Sequence, residues 1–228
     1  MNYKQDLLNR LTGHGIEIGA LHERATTPTH CKVDYCDAIT KEEAIRLFPE
    51  IDHSKLLDPD IISDIDMGGL SKIESEKYDF VIFSHVIEHV ANPIQALQDL
   101  MRILKAGGLF YLACPDKDYT YDKKRNITSW DHLKAEFETN TNFITDEHYL
   151  DFLRGVHPEV FTATAEALQQ ALESVRRRRE HAHVWDSKAF DEFLKNALNM
   201  LNVKTKNIQK YDGNQTAFEY LILFEKLA

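Results

Sequence analysis

The strand–helix–strand pattern over residues 80–114 is the feature that most constrains the fold of this chain. The apolar run Phe80-Val81-Ile82-Phe83 is typical of a parallel strand buried on both faces of a sheet. Asn92-Pro93 then predicts the start of a helix, and apolar residues recur at helical spacing over the next three turns. A second apolar strand, Leu109–Cys114, follows directly. A unit of this kind predicts an α/β fold with a parallel sheet.

The rest of the chain extends this pattern and then interrupts it. We predict further strands at Gly15–Ile18, Lys32–Tyr35 and Ile61–Ile65. Residues 116–154 are polar and irregular, and helices are predicted over about 159–180 and 188–201. Asp212-Gly213 lies between two apolar runs and predicts an antiparallel turn. We therefore expect one domain over residues 1–228, with a doubly wound Rossmann-like sheet and a helical insertion at 116–186 before a final hairpin.

Composition excludes several classes of protein. The formal net charge is −10, which argues against general nucleic-acid binding, because phosphate recognition requires a basic face. Apolar runs remain shorter than the roughly 20 residues that span a bilayer. The three cysteines, Cys31, Cys36 and Cys114, are better explained as reduced thiols than as disulfide partners. We predict a cytoplasmic protein that binds neither nucleic acid nor membrane.

Acidic residues come at the ends of the first three predicted strands. They are Glu17, Asp34 and Asp64. In an open α/β sheet the carboxyl ends of the strands form the ligand crevice. An acid at the second strand end can accept hydrogen bonds from both ribose hydroxyls of a nucleoside, and one at the third can meet an adenine amino group. The sequence therefore predicts a nucleoside-containing ligand.

With these acids the sequence resembles the class I S-adenosylmethionine-dependent methyltransferases. The segments that match are Glu17-Ile18-Gly19, Val33-Asp34, Ser63-Asp64-Ile65, residues 78–84, Glu88-His89-Val90 and residues 104–108. The resemblance implies a seven-stranded, mostly parallel sheet with an antiparallel last strand, and S-adenosylmethionine as the cofactor. We assign no metal-binding residues. We place the cofactor contacts at Glu17, Gly19, Ala20, Arg24, Asp34, Tyr35, Asp64, Ile65, Ser84 and His85.

The loop after the first strand departs from the family pattern. The usual E-x-G-x-G-x-G has Leu21 and Glu23 where later glycines would lie. Only Gly19 then allows a close backbone approach, and we expect Arg24 to meet the cofactor's carboxylate. The loss of glycines is tolerable because this cofactor has no diphosphate to bind.

The acceptor is predicted to be a small polar molecule of anionic character. His89 and His183 are the proposed general bases, although packing roles for both are equally compatible with the sequence. The segment after Pro115 resembles methyltransferases associated with surface-polysaccharide biosynthesis, so we expect an oxygen acceptor on a sugar, nucleotide-sugar or phosphorylated intermediate. We interpret the run Arg176–Arg179 as a solvated helix end. The predicted acceptor contacts are Asp116, Lys117, Tyr119, Arg125 and His181.

Other classes of protein remain open at this level. The residues His85-Val86-Ile87-Glu88-His89 fit the inverted zinc-peptidase motif, but Asn92-Pro93 leaves little room for the helix that this motif requires. A nicotinamide dehydrogenase would share the sheet but needs G-x-G-x-x-G after the first strand. An N- or C-methyltransferase acting on another small metabolite, or an inactive cofactor-binding module, is also compatible with the sequence.

Overall fold

The computed structural model describes residues 2–228 and is built on a seven-stranded sheet. The strands are β1 (His14–Ile18), β2 (Lys32–Asp37), β3 (Ile61–Ile62), β4 (Tyr78–Ser84), β5 (Leu104–Pro115), β6 (Thr205–Tyr211) and β7 (Glu219–Lys226). They lie in the order β3-β2-β1-β4-β5-β7-β6. Strands β1 to β5 are parallel, and β7 is antiparallel to both of its neighbours. The predicted fold class is confirmed.

Eight α-helices accompany the sheet in residues 2–228. They are α1 (Tyr3–Leu8), α2 (Lys41–Leu47), α3 (Pro93–Ile103), α4 (Trp130–Glu138), α5 (Asp146–Val156), α6 (Ala165–Arg178), α7 (Ser187–Met200) and α8 (Gly213–Thr216). Within the same residues, no helix has both the length and the apolar character needed to cross a membrane.

The central strands β1, β4, β5 and β7 are buried on both faces of the sheet, and their residues alternate between the two sides. One side packs under α3 and α7 and contains the stacked cross-strand pair Phe110 and Phe224, whose ring centroids lie 5.1 Å apart. The opposite side contains Phe80 and Tyr111 and is covered in part by Leu7 of α1. Burial on both faces explains why these strands have nearly continuous apolar sequences.

Several predicted boundaries were wrong. β2 runs to Asp37 instead of ending at Tyr35, and β3 ends at Ile62, because Asp64 caps a short 3-10 turn by accepting a hydrogen bond from Asp66 N. β6 and β7 pair in antiparallel fashion as predicted. However, Asp212 caps the one-turn helix α8 instead of forming a tight turn.

Residues 116–186 are more regular than the sequence suggested. Helices α4 and α5 lie within the part that was predicted to be irregular, and Ser129 caps α4 by accepting a hydrogen bond from His132 N. The helix predicted from about residue 159 begins only at Ala165, where Thr164 provides the cap. Helices α5 and α6 pack on each other through a small core of their own, which comprises Tyr149, Phe152, Leu153, Leu172 and Val175.

Candidate active site

A cavity of about 450 Å³ opens at the carboxyl ends of β1, β2, β3 and β4. Its floor comes from the residues that end these strands, and its roof comes from the last turn of α6 and the segment after it. This is the crevice where open α/β sheets bind their ligands. The polar residues of the lining are Asp37, Ser63, Asp64, His85, His89, Tyr121, Arg177, Arg178, Arg179, Glu180 and His181.

Gly19 forms the sharp turn at the floor of this cavity. Its φ is +69°, and a Cβ added there would lie 2.7 Å from Cγ2 of Val86. Gly19 N donates a 2.8 Å hydrogen bond to the Cys36 carbonyl, which fixes the turn against the end of β2. Leu21 and His85, also on the lining, have left-handed backbones with φ of +44° and +55°. Such conformations concentrate at ligand sites, where the surrounding structure enforces them.

Glu17 holds the loop that follows β1 in place. The side chain is buried, and its two carboxylate oxygens accept hydrogen bonds of 2.9 and 3.1 Å from Ala25 N. Burial raises the pKa of Glu17 to about 7. The loop closed in this way leaves Arg24 exposed, and neither Arg24 nor Ala20 lies on the cavity.

The acid at the end of β2 is Asp37, which the sequence analysis missed. Asp37 lines the cavity, whereas Asp34 pairs with Ile16 in the middle of β1. The Asp34 carboxylate accepts hydrogen bonds from His14 Nε2 at 2.8 Å and from the Tyr78 hydroxyl at 3.0 Å. Burial acts to raise the pKa of Asp34, but these hydrogen bonds hold it below its usual value. Asp34 is thus part of a half-buried polar group that does not line the cavity.

Arg177, Arg178 and Arg179 at the end of α6 form the roof, which corrects their interpretation as a solvated helix end, whereas Arg176 does not line the cavity. Arg179 donates to both oxygens of the Asp64 carboxylate. Arg178 donates to Glu50 at 2.6 Å and lies over the Phe48 ring. Both contacts join the roof to the strand side of the cavity.

Two carboxylates hold His85 at the end of β4. His85 Nε2 lies 2.6 Å from Glu219, and its Nδ1 lies 3.6 Å from the fully buried Glu88. Burial acts to lower the pKa of His85, but the hydrogen bond to Glu219 and the nearby negative charge of Glu88 raise it to about 9. His85 is therefore a cation at neutral pH. Residues Ile87–His89 form only a 3-10 turn, so the helix required by the inverted zinc-peptidase motif is absent here.

His89 and His181 lie side by side at the cavity, with ring centroids 4.6 Å apart. Nδ1 of His89 donates to the Arg179 carbonyl, since a carbonyl can only accept, and this leaves Nε2 unprotonated in the neutral ring. Burial lowers the pKa of His89. His181 lies between the Asp122 carboxylate at 2.6 Å and the Tyr121 hydroxyl at 2.8 Å.

The structure brings only part of the predicted site to the cavity. Gly19, Asp64, Ile65, His85, His89 and His181 line it, whereas the following residues do not: Glu17, Ala20, Arg24, Asp34, Tyr35, Ser84, Asp116, Lys117, Tyr119, Arg125 and His183. Arg125 is buried, and its guanidinium donates to Asp122, Asp151 and the backbone of residues 181–182. Besides Asp37, the cavity contains Tyr121 and the roof arginines, which were not among the predicted site residues. The change to a polar sequence after Pro115 correctly indicated that the following segment contributes to the site. It did not indicate which side chains of that segment line the cavity.

Residues 11–197 of this chain match the sequence model of a family described as a methyltransferase domain. The chain therefore belongs to the class I S-adenosylmethionine-dependent methyltransferase domain family, whose methyl donor is S-adenosylmethionine. An uncharacterized protein of Methanocaldococcus jannaschii is 25% identical over 146 residues, which make up 62% of each of the two chains. This chain thus spans less than two thirds of the length of that relative.

One solved structure agrees with this chain at the level of the fold. A Rhodobacter sphaeroides chain named as a Zn-dependent alcohol dehydrogenase superposes with a TM-score of 0.55 at 14% identity, covering 98% of this chain and 88% of its own. The CurJ carbon methyltransferase gives a TM-score of 0.48 at 14% identity, covering 98% of this chain and 51% of its own. At 14% identity the likeness to the Rhodobacter sphaeroides chain concerns the fold alone.

Proposed function

We propose that this chain transfers a methyl group from S-adenosylmethionine to a small polar acceptor. The observation that carries the proposal is the cavity at the carboxyl ends of β1–β4, where Gly19 gives close backbone approach and Asp37 offers a carboxylate. Asp37 would accept hydrogen bonds from the ribose hydroxyls, and Asp64 with Ile65 would lie against the adenine. When bound, S-adenosylmethionine supplies an electrophilic methyl group on a sulfonium.

Residues 116–186 would act as a lid over this cavity. The roof at Arg177–His181 belongs to this segment, and its ion pairs to Glu50 and Asp64 reach across to the strand side. Closure of the lid would exclude water and hold the acceptor in line with the methyl group, which is the main contribution a protein makes to such a displacement.

The preferred acceptor is an oxygen on a sugar, nucleotide-sugar or phosphorylated intermediate of surface-glycan assembly. Of the three arginines on the roof, Arg178 pairs with Glu50 and Arg179 pairs with Asp64. Arg177 supplies a cation suited to a phosphate or carboxylate. The Tyr121 hydroxyl and the imidazoles of His89 and His181 add the polar groups that a sugar needs. The pathway itself rests on the resemblance of the segment after Pro115.

His89 is the proposed general base. His89 lines the cavity, and its Nε2, which is unprotonated in the neutral ring, would take the proton from an acceptor hydroxyl. The buried Glu88 carboxylate lies 3.7 Å from this nitrogen and would stabilise the imidazolium that forms. Glu88 thus acts on the histidine and not on the acceptor.

Two measurements test this proposal. Calorimetry should detect binding of S-adenosylhomocysteine, and a labelled-methyl screen against sugar phosphates and nucleotide-sugars should give a methylated product. Absence of cofactor binding by the folded protein would reject methyl transfer altogether. Binding with turnover only on amine or carbon acceptors would keep the reaction and reject the oxygen acceptor.

A further inference from the structure

Four side chains capable of binding a metal converge within the 116–186 segment, away from the cavity. His132 and Glu136 lie one turn apart on α4, His148 lies on α5, and His183 lies on the extended segment before α7. One ligand atom from each lies within 4.8 Å of all the others. Side chains from three separate segments meet here.

The distances within this cluster match a metal coordination shell. His132 Nε2 lies 2.9 Å from His148 Nε2, and Glu136 Oε1 lies 3.1 and 3.2 Å from these two nitrogens. His183 Nε2 lies 3.6 Å from Glu136 Oε2. Ligands at about 2.1 Å from a tetrahedral Zn²⁺ are roughly 3.4 Å apart. A single ion could therefore contact all four groups with only small side-chain shifts.

Hydrogen bonding does not account for the buried part of the cluster. The His183 side chain is fully buried and that of Glu136 is 9% exposed, yet Glu136 Oε2 and both ring nitrogens of His183 have no hydrogen-bond partner. Burying a carboxylate oxygen and an imidazole without partners is costly. A cation between them would satisfy both.

We propose that His132, Glu136, His148 and His183 bind one divalent transition-metal ion, with Zn²⁺ as the reference ion. Three imidazoles and one carboxylate form a donor set that suits such ions. The Thr145 hydroxyl lies 3.0 Å from His148 Nδ1 and orients the ring so that Nε2 faces the cluster, as outer-shell partners do at metal sites. This proposal replaces the sequence-based prediction that the chain has no metal site.

The role that follows is structural, because four protein ligands close a tetrahedral site. The ion would fasten α4, α5 and residues 182–184 to one another. Ala182 N and His183 N also donate to the Glu88 carbonyl, at 2.8 and 3.1 Å, next to the cavity. The metal would thus stabilise the segment that forms the cavity wall. His132 is 44% exposed and lies with His148 on a separate surface cavity, which gives the ion a route of entry.

The test is Zn²⁺ binding by the whole chain after treatment with a chelator. Calorimetry and elemental analysis should give one Zn²⁺ per chain, and Zn²⁺ should raise Tm, because a ligand that binds the folded state stabilises it. His148→Ala and Glu136→Gln should each weaken Zn²⁺ binding by at least about tenfold, on the scale seen for altered metal sites. Circular dichroism checks that each variant is folded. Glu136→Gln preserves the side-chain size, so at least one variant retains the native packing.

Two controls locate the site. His157→Ala removes an exposed histidine of the same segment that lies outside the cluster, and it should keep full Zn²⁺ binding. His89→Ala removes one member of the second cluster, Glu88, His89 and His181, and should also keep it. The proposal is overturned if the folded wild type binds no Zn²⁺, if His148→Ala and Glu136→Gln bind as wild type does, or if His89→Ala alone abolishes binding.

Discussion

The guanidinium of Arg179 donates to both carboxylate oxygens of Asp64, and this ion pair joins the end of α6 to the end of β3. The backbone of Arg179 is left-handed, with φ of +49°, so the chain changes direction directly after the last turn of α6. Both residues lie on the cavity. The pair is partly exposed, at 42% and 23%, and such pairs contribute at most about 1 kcal/mol to stability. We therefore expect the Arg179–Asp64 pair to affect mainly the rate at which the ligand enters and leaves the cavity.

Arg179→Ala should speed the release of S-adenosylhomocysteine by about three- to tenfold, while the free energy of unfolding changes by less than about 1 kcal/mol. The matched control is Arg176→Ala, which removes the exposed ion pair between Arg176 of α6 and Asp146 of α5, neither of which lines the cavity. Stopped-flow measurement of ligand release compares the two. Equal release rates in both variants would show that the Arg179–Asp64 pair does not retain the ligand.

Substitutions of Asp37 and Asp34 give a second matched comparison. Asp37→Ala should weaken binding of S-adenosylhomocysteine by roughly 1.5–3 kcal/mol, the scale for hydrogen bonds to a charged group. Asp34→Ala should leave that affinity within about 0.5 kcal/mol but lower stability, because it leaves the Tyr78 hydroxyl and His14 without their acceptor. Calorimetric titration and urea unfolding of both variants separate the two roles. A larger loss of affinity in Asp34→Ala would restore the sequence-based assignment.

These two aspartates show what the sequence could and could not predict. The strand pattern fixed the α/β class and the position of the crevice, because burial on both faces leaves a clear apolar signature. It did not fix where β2 ends, since Tyr35, Cys36 and Asp37 continue the strand without a turn signal. The cluster around His183 was beyond sequence reasoning, because His148 and His183 lie 16 and 51 positions from His132 and meet it only through tertiary packing.

Gly19→Ala should abolish detectable binding of S-adenosylhomocysteine and destabilise the fold. It combines two costs, a left-handed backbone and a Cβ 2.7 Å from Val86. Gly107→Ala is the control for the first cost, because Gly107 has φ of +77° with nothing within 4 Å of the added Cβ, and it should cost only about 1–2 kcal/mol. Thermal unfolding should show a larger loss for Gly19→Ala. The double variant with Val86→Ala should recover part of that loss, and no recovery would exclude the clash.

The pH dependence of turnover tests His89. Since the pKa of His89 lies below its usual value, the neutral ring predominates at pH 7, and turnover should fall only as the pH drops through that lowered pKa. His89→Ala should lower kcat by about 10²–10⁴-fold and remove this acid limb, while the affinity for S-adenosylhomocysteine changes little. Measurement of kcat as a function of pH at saturating substrate compares the wild type with His89→Ala. An acid limb that persists in His89→Ala would assign it to another group.

His85 gives a prediction for stability at alkaline pH. The pKa of its imidazole is raised from 6.5 to about 9 in the folded protein, where burial opposes protonation and the Glu219 and Glu88 carboxylates outweigh it. A group with a raised pKa contributes its full stability below the unfolded value and loses it as the pH rises through the folded value. His85→Asn is the suitable variant, because asparagine tolerates the left-handed backbone at this position.

The difference in unfolding free energy between wild type and His85→Asn should therefore depend on pH in a defined direction. We expect the histidine to contribute roughly 2–3 kcal/mol of charge-dependent stability at pH 7 and almost none at pH 10. Urea unfolding at several pH values from 6 to 10 measures this difference, and comparison with the variant removes the titration of other groups. If the difference stays constant or grows above pH 8, then His85 is neutral in the folded protein, and the two carboxylates must be held by other partners.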